Sequence, residues 1–422
     1  MKHELTHNRL IFAALLLLLL TGCATPQPGM TRLAATPIGY VSQLQSARLN
    51  EVNHKDNIPV FIVSGRNVVP NPRGVNPFGD ERNDAPVPNL GIAKVSVGEG
   101  MTSGEIIADT LKTNGRRGKT RFRLKNVELI PTPPVDHFSI EHEDAHFQDN
   151  PWVKELNKVL RNSRSKKISI YVHGYNTEFI TSAELCAEVV HFHAREGAVI
   201  NFAWPSQGNI GAYLADKGNA EYSTRHFRGL LELLARETCA EKIDIVAHSA
   251  GNPIVVNAMK EIRILQRHMT ADQLRDKYKV NSVVLAAPDM DLQTFINAVF
   301  DRFHELAQGV AVYTSQTDKA LDIARKLFRA ERLGRAAADM DGWEKDTLTQ
   351  VNRIEMIDVT NAEGQSRELL GHNYFYRNPW VSTDIGLFVE NFSPEERNLV
   401  PGENGLFWTF PDNYDQLVRA RR

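Results

Sequence analysis

The chain has few cysteines and no surplus of charge of either sign. Three cysteines occur among 422 residues, and the formal net charge is −2 at pH 7. The sequence has no cysteine and histidine cluster with the spacing of a zinc site, so we expect no bound metal. A chain so close to neutrality has no global field that would attract nucleic acid, and we expect no nucleic-acid partner.

The sequence also lacks an apolar run long enough to span a bilayer comfortably. The run from Leu10 to Leu20 follows Lys2 and Arg9 and has the length of the apolar region of a signal peptide. Directly after it, Leu20-Thr21-Gly22-Cys23-Ala24 resembles the bacterial lipobox, in which the cysteine is acylated and the preceding peptide is removed. We therefore predict a lipoprotein signal peptide over residues 1–22 and lipid attachment at Cys23. The alternatives are an uncleaved anchor helix and a secreted protein in which Cys23 is incidental.

The predicted anchor sets an expected location. The residue after Cys23 is alanine and not the aspartate that signals inner-membrane retention in enterobacterial lipoproteins. We expect a periplasm-facing protein attached to the outer membrane through its N-terminal lipid. Residues 23–57 lack sustained periodicity and are predicted to be a tether.

From residue 58 onward, the sequence predicts one α/β domain, residues 58–422. A β-rich N-terminal portion is followed by alternating strands and helices, a rhythm typical of a mostly parallel sheet with helices on both faces. The predicted strands are 58–63, 92–97, 120–124, 168–172, 198–203, 243–246, 282–286, 310–314 and 353–359, and the predicted helices lie near 180–195, 222–238 and 253–266. The charged segment 319–346 lies between the last two strands, where a lid could be inserted.

Two cysteines remain after Cys23. This arrangement places Cys186 and Cys239 on helices over opposite faces of the sheet, beyond the roughly 7 Å between Cα atoms that a disulfide allows. We predict two free, buried thiols.

The segment from Lys242 to Pro253 is the most informative in the chain. An apolar strand pattern stops at Ser249, which lies between small residues, and a helical pattern follows at once. A serine on such a strand-to-helix turn is a nucleophile elbow, usually G-x-S-x-G; here Ala247 replaces the first glycine and Gly251 keeps the second. Because the turn is tight, a bulky residue at either position would clash.

A serine nucleophile needs donors for the oxyanion and a base. His173-Gly174-Tyr175 follows a predicted strand, so we expect the N–H of Tyr175 to be one donor and the N–H of Ala250, after the serine, to be the other. His173 is then a structural residue of its turn. The predicted base is His372, on a loop after the last predicted strand, whereas His248 is expected to pack beneath the elbow.

The sequence leaves three candidates for the acid that orients the base. Asp318 lies just beyond the second strand after the elbow, which is the usual position and the one we favour. Asp289 ends the preceding strand and is the main alternative, and Asp291 ranks behind both. Asp289 could instead fix a loop or contact substrate.

The chain resembles the bacterial α/β-hydrolases of unknown function known as DUF900. The resemblance covers roughly residues 60–389 and is carried by Ile168–Asn176, Asn201–Ser206, Ala247–Asn252, Ala286–Asp291, Tyr313–Ser315 with Asp318–Leu321, and Gly371-His372 with Asp384 downstream. It implies the α/β-hydrolase fold and the serine, acid and histidine order. Family members usually have methionine after the serine; alanine at this position keeps the backbone N–H.

These features predict a serine hydrolase of the carboxylesterase or lipase type that needs no cofactor. Ser249, Asp318 and His372 are the predicted catalytic residues, and a small-molecule or lipid ester is the predicted substrate. Trp204 and Pro205 could line its pocket, although Trp204 could equally pack in the core. The alternative is a non-catalytic lipoprotein of this fold that binds an envelope partner or ligand. The sequence does not indicate an oligomeric state.

Overall fold

The computed structural model describes residues 31–38, 56–70, 74–112, 116–131, 149–192, 195–207, 213–336, 340, 342–365, 371–402 and 405–420. The predicted signal peptide and Cys23 lie outside these residues, so lipid attachment stays a prediction. Within the described ranges, no helix combines the length and apolar character needed to cross a membrane.

Most of the described strands form one large sheet. The strands are β1 (Thr31–Arg32), β2 (Ile58–Ser64), β3 (Arg66–Val68), β4 (Phe78–Arg82), β5 (Asn89–Val97), β6 (Arg121–Ile130), β7 (Lys167–Val172), β8 (Ala198–Ala203), β9 (Lys242–His248), β10 (Val280–Ala286), β11 (Ala307–Thr314), β12 (Ile354–Asp358), β13 (Val400–Pro401) and β14 (Phe407–Thr409). In the described part of the chain the sheet has the order β1-β6-β5-β2-β8-β7-β9-β10-β11-β12-β14-β13, and β3 and β4 pair separately.

The sheet is parallel at its centre and antiparallel at its edges. The strands from β2 through β14 in this order pair in parallel, whereas β1, β6 and β5 at one end and β13 at the other pair antiparallel to their neighbours. The predicted mostly parallel sheet with an antiparallel N-terminal portion is confirmed.

Helices cover both faces of this sheet. They are α1 (Ser103–Thr110), α2 (Pro151–Asn162), α3 (Phe179–Phe192), α4 (Tyr213–Glu237), α5 (Asn252–Leu265), α6 (Ala271–Tyr278), α7 (Leu292–Phe300), α8 (Lys319–Phe328), α9 (Gly342–Thr349), α10 (Tyr374–Arg377), α11 (Pro379–Val389) and α12 (Tyr414–Ala420). Alternate residues of the central strands enter two separate hydrophobic cores, one under α2, α4 and α5 and one under α3 and α11.

The apolar sequence of the central strands explains their position. Every residue of Val280–Ala286 is buried, as expected for a parallel strand covered on both faces. Start signals are clear in the helices that cover the sheet: α2 begins with Pro151, and the side chain of Asn150 accepts a hydrogen bond from the N–H of Trp152 at 2.8 Å.

The predicted tether needs a correction. Thr31 and Arg32 pair with β6, and Leu33, Ala34 and Ile38 are buried, so part of residues 23–57 belongs to the folded domain. A two-residue edge strand has no periodicity that a sequence could reveal. Residues 39–55 lie outside the described part of the chain.

The region predicted as a possible lid is divided between two edges of the sheet. The turn Leu333–Arg335 packs at the carboxyl edge, where the N–H of Gly334 bonds to the carbonyl of Pro288 at 2.9 Å. Trp343 of α9 instead lines a surface cleft with Asn352 and Arg353, which precede β12 at the amino edge. The segment is therefore not one continuous cover over the carboxyl edge, and a lid function for its first part stays a prediction.

Both remaining cysteines are free, as predicted, but only Cys186 is fully buried. Cys186 lies in α3 within the core under that helix, whereas Cys239 packs against the opposite core. Cys239 follows the end of α4 and is half-buried, so its predicted place within a helix and its predicted full burial were wrong.

Candidate active site

Ser249 lies on a sharp turn between a strand and a helix. β9 ends at His248, the residues Ser249–Gly251 form a single 3₁₀ turn, and α5 begins at Asn252. The backbone φ of Ser249 is +51°, a left-handed conformation that costs an L-residue about 1–2 kcal/mol. Such strain persists only where surrounding contacts hold it, and it is common at functional sites.

Close backbone contacts explain the small residues around this serine. A Cβ on Gly251 would lie 2.5 Å from the carbonyl oxygen of His173, and a Cβ on Gly174 would lie 2.8 Å from Nδ1 of His248. Both distances are too short for real atoms, so neither position has room for a side chain. A bulky residue two positions after the serine would therefore clash, as the sequence predicted.

Asn252 and Asp289 hold the strained residue by hydrogen bonds to its carbonyl oxygen, Asn252 through its backbone N–H as well as its side chain. The side-chain amide of Asn252 donates to it at 2.8 Å, and the backbone N–H of Asp289 donates to it at 3.2 Å. The hydrogen bond from Asp289 ties the turn to the loop that follows β10.

Three side chains from distant parts of the sequence form one chain of hydrogen bonds at this turn. The Oγ of Ser249 lies 2.8 Å from Nε2 of His372, and Nδ1 of His372 lies 2.7 Å from Oδ2 of Asp318. The carboxylate at Nδ1 assigns the ring proton to that nitrogen, so Nε2 is left to accept the serine proton. Ser249 is 5% exposed, His372 is 4% exposed and Asp318 is completely buried.

Asp318 is fixed by its place at the start of a helix. It follows β11 and caps α8, and its Oδ1 accepts a hydrogen bond from the N–H of Leu321 at 3.0 Å. The guanidinium of Arg335 donates to its backbone carbonyl at 3.2 Å. One carboxylate oxygen thus serves the helix and the other faces the histidine.

The other two acid candidates serve different partners. The Asp289 carboxylate lies 3.4 Å from the guanidinium of Arg332, which is itself 2% exposed. Asp291 caps α7 by accepting the N–H of Thr294 at 2.8 Å. Asp289 therefore fixes a loop, which is the alternative role that its sequence position suggested.

The loop that carries His372 is bound to both neighbouring strands. Nε2 of His248 donates to the carbonyl of His372 at 3.1 Å, and the hydroxyl of Tyr374 donates to the carbonyl of Tyr313 at 2.7 Å. Burial, with the adjacent ring of His372, holds the pKa of His248 well below its usual range. His248 is thus a neutral donor whose ring centroid lies 4.9 Å from that of His372, and its expected position beneath the elbow stays a prediction.

The loop after β7 is held rigidly beside the serine. Arg66, completely buried, donates to the carbonyl of Thr177 at 2.9 Å. The hydroxyl of Ser206 accepts the N–H of Asn176 at 2.9 Å and donates to Asp216 at 2.7 Å. These contacts fix the backbone on either side of the predicted oxyanion donor.

His173 and Trp204 form the buried floor of that loop. Their rings stack with centroids 5.2 Å apart, and the indole N–H donates to the carbonyl of His173 at 2.7 Å. Burial, assisted by Arg66, lowers the pKa of His173 to about 3, so its ring is neutral. Trp204 is completely buried, in agreement with core packing, and Pro205 beside it is buried as well.

The two predicted oxyanion donors lie on the two segments that meet at Ser249. Tyr175 and Ala250 are half-buried, in contrast to their buried neighbours Gly174 and Ser249. Ala250 is in the first turn of its 3₁₀ segment, where backbone N–H groups have no acceptor within the helix. The role of Tyr175 and Ala250 as oxyanion donors stays a prediction.

Several supporting residues were not predicted from the sequence. Arg66 and Arg332 lie far along the chain from the groups that they hold, Asp216 lies ten residues after Ser206, and none of the three belongs to a recognisable motif. Ser206 alone carried a signal, since it ends the segment Asn201–Ser206. No group of histidine, cysteine, aspartate and glutamate side chains suited to a metal ion occurs in the described residues.

The site lies at the edge of the sheet where α/β proteins usually bind their ligands. The chain passes from β7 to β8 on one side and then returns to β9 on the other, so β7 and β9 flank the point where the strand order reverses. In open α/β sheets, ligands bind at the carboxyl ends of the strands at such a point. Tyr175 follows β7 and Ser249 follows β9. This topology, with a serine on a strained turn after a central strand, defines an α/β-hydrolase.

The chain belongs to the α/β-hydrolase family of unknown function DUF900. The family match covers residues 149–388, more than half of the chain, and includes Ser249, Asp318 and His372. No curated protein matches the sequence.

Solved esterase and hydrolase structures share a partial likeness. Esterase B from Lactobacillus rhamnosis is 12% identical with a TM-score of 0.31, over 54% of this chain and 75% of that one. An esterase from Pyrobaculum calidifontis is 11% identical with a TM-score of 0.30, over 54% and 76%. A hydrolase from Oleispira antarctica is 9% identical with a TM-score of 0.27, over 55% and 93%. At these scores, the fold is established by the chain's own topology and its family.

Proposed function

We propose that the chain is a serine hydrolase that cleaves carboxylic esters. The observation that supports this most directly is the uninterrupted path of hydrogen bonds from Ser249 through His372 to Asp318. A serine needs a base in hydrogen-bond reach, and the base needs a group that fixes its tautomer.

The reaction would proceed in two steps. His372 takes the proton of Ser249 as Oγ attacks the ester carbonyl, and the buried Asp318 stabilises the imidazolium that forms. The N–H groups of Tyr175 and Ala250 would bind the oxyanion, and the alcohol leaves with the proton from His372. Water, activated by the same histidine, then releases the acid and restores the serine.

We also propose that the hydrolase is attached to the bacterial envelope through acylated Cys23, facing the periplasm. The lipobox-like residues Leu20–Ala24 support this, because they are the pattern in which a cysteine is acylated. Several acyl chains on one cysteine would anchor the protein stably. Mass spectrometry of the N-terminal peptide from the native host would test it. An N-terminal acylated cysteine is expected, and an intact residue 1 would contradict the anchor.

The enzymatic proposal is tested with nitrophenyl esters of graded acyl length. We expect turnover by the wild type and a loss on the order of 10⁶-fold in kcat for Ser249→Ala. Ser165→Ala, which changes an exposed serine, is the matched control and should retain full activity. If no ester in the series is turned over above the rate of the Ser249→Ala variant, a non-catalytic binding protein of this fold becomes the better account.

A further inference from the structure

A cavity of about 110 Å³ lies on the face of the sheet that α3 and α11 cover. Val246 on β9 forms part of its floor, Leu185 of α3 and Ile385 of α11 form its sides, and Ala34 closes it from the N-terminal segment. Its lining is mostly apolar. Phe375 also lines it and packs against His248 with ring centroids 4.7 Å apart, so one ring separates the cavity from the residue beside Ser249.

Two hydroxyl groups on β7 face this cavity without a partner. Ser169 and Tyr171 are two residues apart on one strand and so point to the same face of the sheet, and both line the cavity. Within the described chain, neither hydroxyl forms a hydrogen bond, although Tyr171 is only 4% exposed. Neither oxygen is among the fully buried polar atoms, so both stay accessible from the cavity, and a ligand that supplied a hydrogen-bond partner would gain a bond there.

The charged groups of the lining are already paired. Lys167 lies 3.4 Å from Asp244 and 3.0 Å from Glu390, and Glu188 accepts the backbone N–H of Ala34. Because Lys167, the one cation among the described lining residues, has two carboxylate partners, the cavity does not favour an anionic ligand. A neutral molecule fits its charge better.

We propose that this cavity binds a neutral apolar molecule of about the size of an aromatic ring that carries a hydroxyl group. The apolar part would lie between α3 and α11, and the hydroxyl would bond to Tyr171. The volume of the cavity suits a ligand of this size, since an engineered apolar cavity of about 150 Å³ takes up benzene. An apolar pocket with a few convergent polar groups is the usual form of a small-molecule site.

The test compares phenol, toluene and benzoate as ligands of the Ser249→Ala chain, with affinities measured by ligand-observed NMR. Ser249→Ala removes turnover, so the measurement stands whether or not the chain is an esterase. We expect phenol to bind more tightly than toluene and benzoate not to bind. Tyr171→Phe keeps the ring and removes the hydroxyl, so it should weaken phenol by about threefold to tenfold and leave toluene unchanged.

A second variant identifies the place of binding. Leu185→Phe places extra volume in the cavity and should abolish binding of both phenol and toluene, whereas Leu327→Phe at an exposed position of α8 should not. Binding that survives Leu185→Phe would locate the ligand elsewhere and overturn the proposal. An absence of binding up to the solubility limit would overturn it as well, as would equal affinity of phenol for the Tyr171→Phe chain.

Discussion

Ser249 shows how single residues hold a reactive group in a strained conformation. Its positive φ is compatible with the fold because Asn252 and the backbone of Asp289 both bind its carbonyl. Neither Gly251 in this turn nor Gly174 in the loop after β7 has room for a side chain. These contacts keep Oγ directed at His372.

Two matched variants can decide which aspartate orients His372. Asp318→Asn keeps the shape of the side chain but no longer fixes the tautomer of His372, so kcat for a nitrophenyl ester should fall on the order of 10⁴-fold. Asp289→Asn changes a residue that faces Arg332 and should cost far less. If Asp289→Asn alone abolished turnover, the assignment of Asp318 would be wrong.

His248 is expected to position the base through its backbone. His248→Phe keeps an aromatic ring against Phe375 but removes the hydrogen bond to the carbonyl of His372, and kcat should fall by about threefold to tenfold with KM little changed. The pH dependence of kcat should shift as well, because the loop then holds the imidazole less firmly. His248→Gln can place a donor near Nε2 and should restore most of the rate. Equal kcat and pH profiles in all three proteins would show that the bond has no such role.

Among the elements, α3 holds the N-terminal segment through two buried carboxylates. Glu184 accepts hydrogen bonds from the hydroxyl of Thr31 and from the N–H of Leu124, and Glu188 accepts the N–H of Ala34. Two acidic residues one helical turn apart would usually indicate a solvated face. Here they replace the backbone pairing that a longer strand would provide.

Glu188 makes the stability of this contact dependent on pH. Burial raises the pKa of Glu188 from 4.5 to about 7 in the folded state, so the folded protein retains a proton that the unfolded chain releases between these values. Stability therefore falls as the pH rises from about 4.5 to 7, by up to about 3 kcal/mol. Glu188→Gln removes this penalty. The variant should match the wild type in urea unfolding near pH 4 and exceed it near pH 8; an equal difference at both pH values would contradict the assignment.

The strands and helices could be predicted to different extents. The strand at 198–203 matches its predicted bounds, because a buried parallel strand is apolar throughout, and the other predicted strands overlap those observed. β1, β3, β13 and β14 were missed, since strands of two or three residues have no usable period, and β4 was missed because it lies among prolines, glycines and asparagines that indicate a loop. The start of α4 at Tyr213 was also missed, because the polar first turns of that helix carry no apolar stripe.

For the whole molecule, chain order predicted which residues meet but not what holds them. Ser249 and His372 are 123 residues apart, and their contact could be expected because parallel strands bring their carboxyl ends to one edge. The ion pair of Asp289 with Arg332 and the bond of Arg66 to Thr177 join elements that packing alone brings together. Such pairs follow from tertiary structure and leave no local pattern in the sequence.

A buried ion-pair cluster joins the C-terminal segment to the centre of the fold. Arg397, completely buried, lies 3.1 Å from Asp384 of α11 and also contacts Glu355 of β12, and the hydroxyl of Tyr313 donates to Asp384 at 2.7 Å. Asp384 was part of the family resemblance, and its place in this cluster is structural.

Removing the cation of this cluster should destabilise the whole domain. Arg397→Met leaves Asp384 buried without its counter-ion, and the free energy of unfolding should fall by about 3–5 kcal/mol. Urea denaturation measures this, with Arg419→Met in the exposed pair with Asp415 as the control. A loss for Arg397→Met no greater than that for the control would show that the cluster contributes little.

The central claim is that Ser249 is a nucleophile activated by His372. Intact-protein and peptide mass spectrometry after treatment with a fluorophosphonate tests it without knowledge of the natural substrate. The account predicts one covalent adduct per chain, located on Ser249, lost in Ser249→Ala and retained in Ser165→Ala. A wild-type chain that stays unlabelled, or an adduct on any other residue, would contradict it.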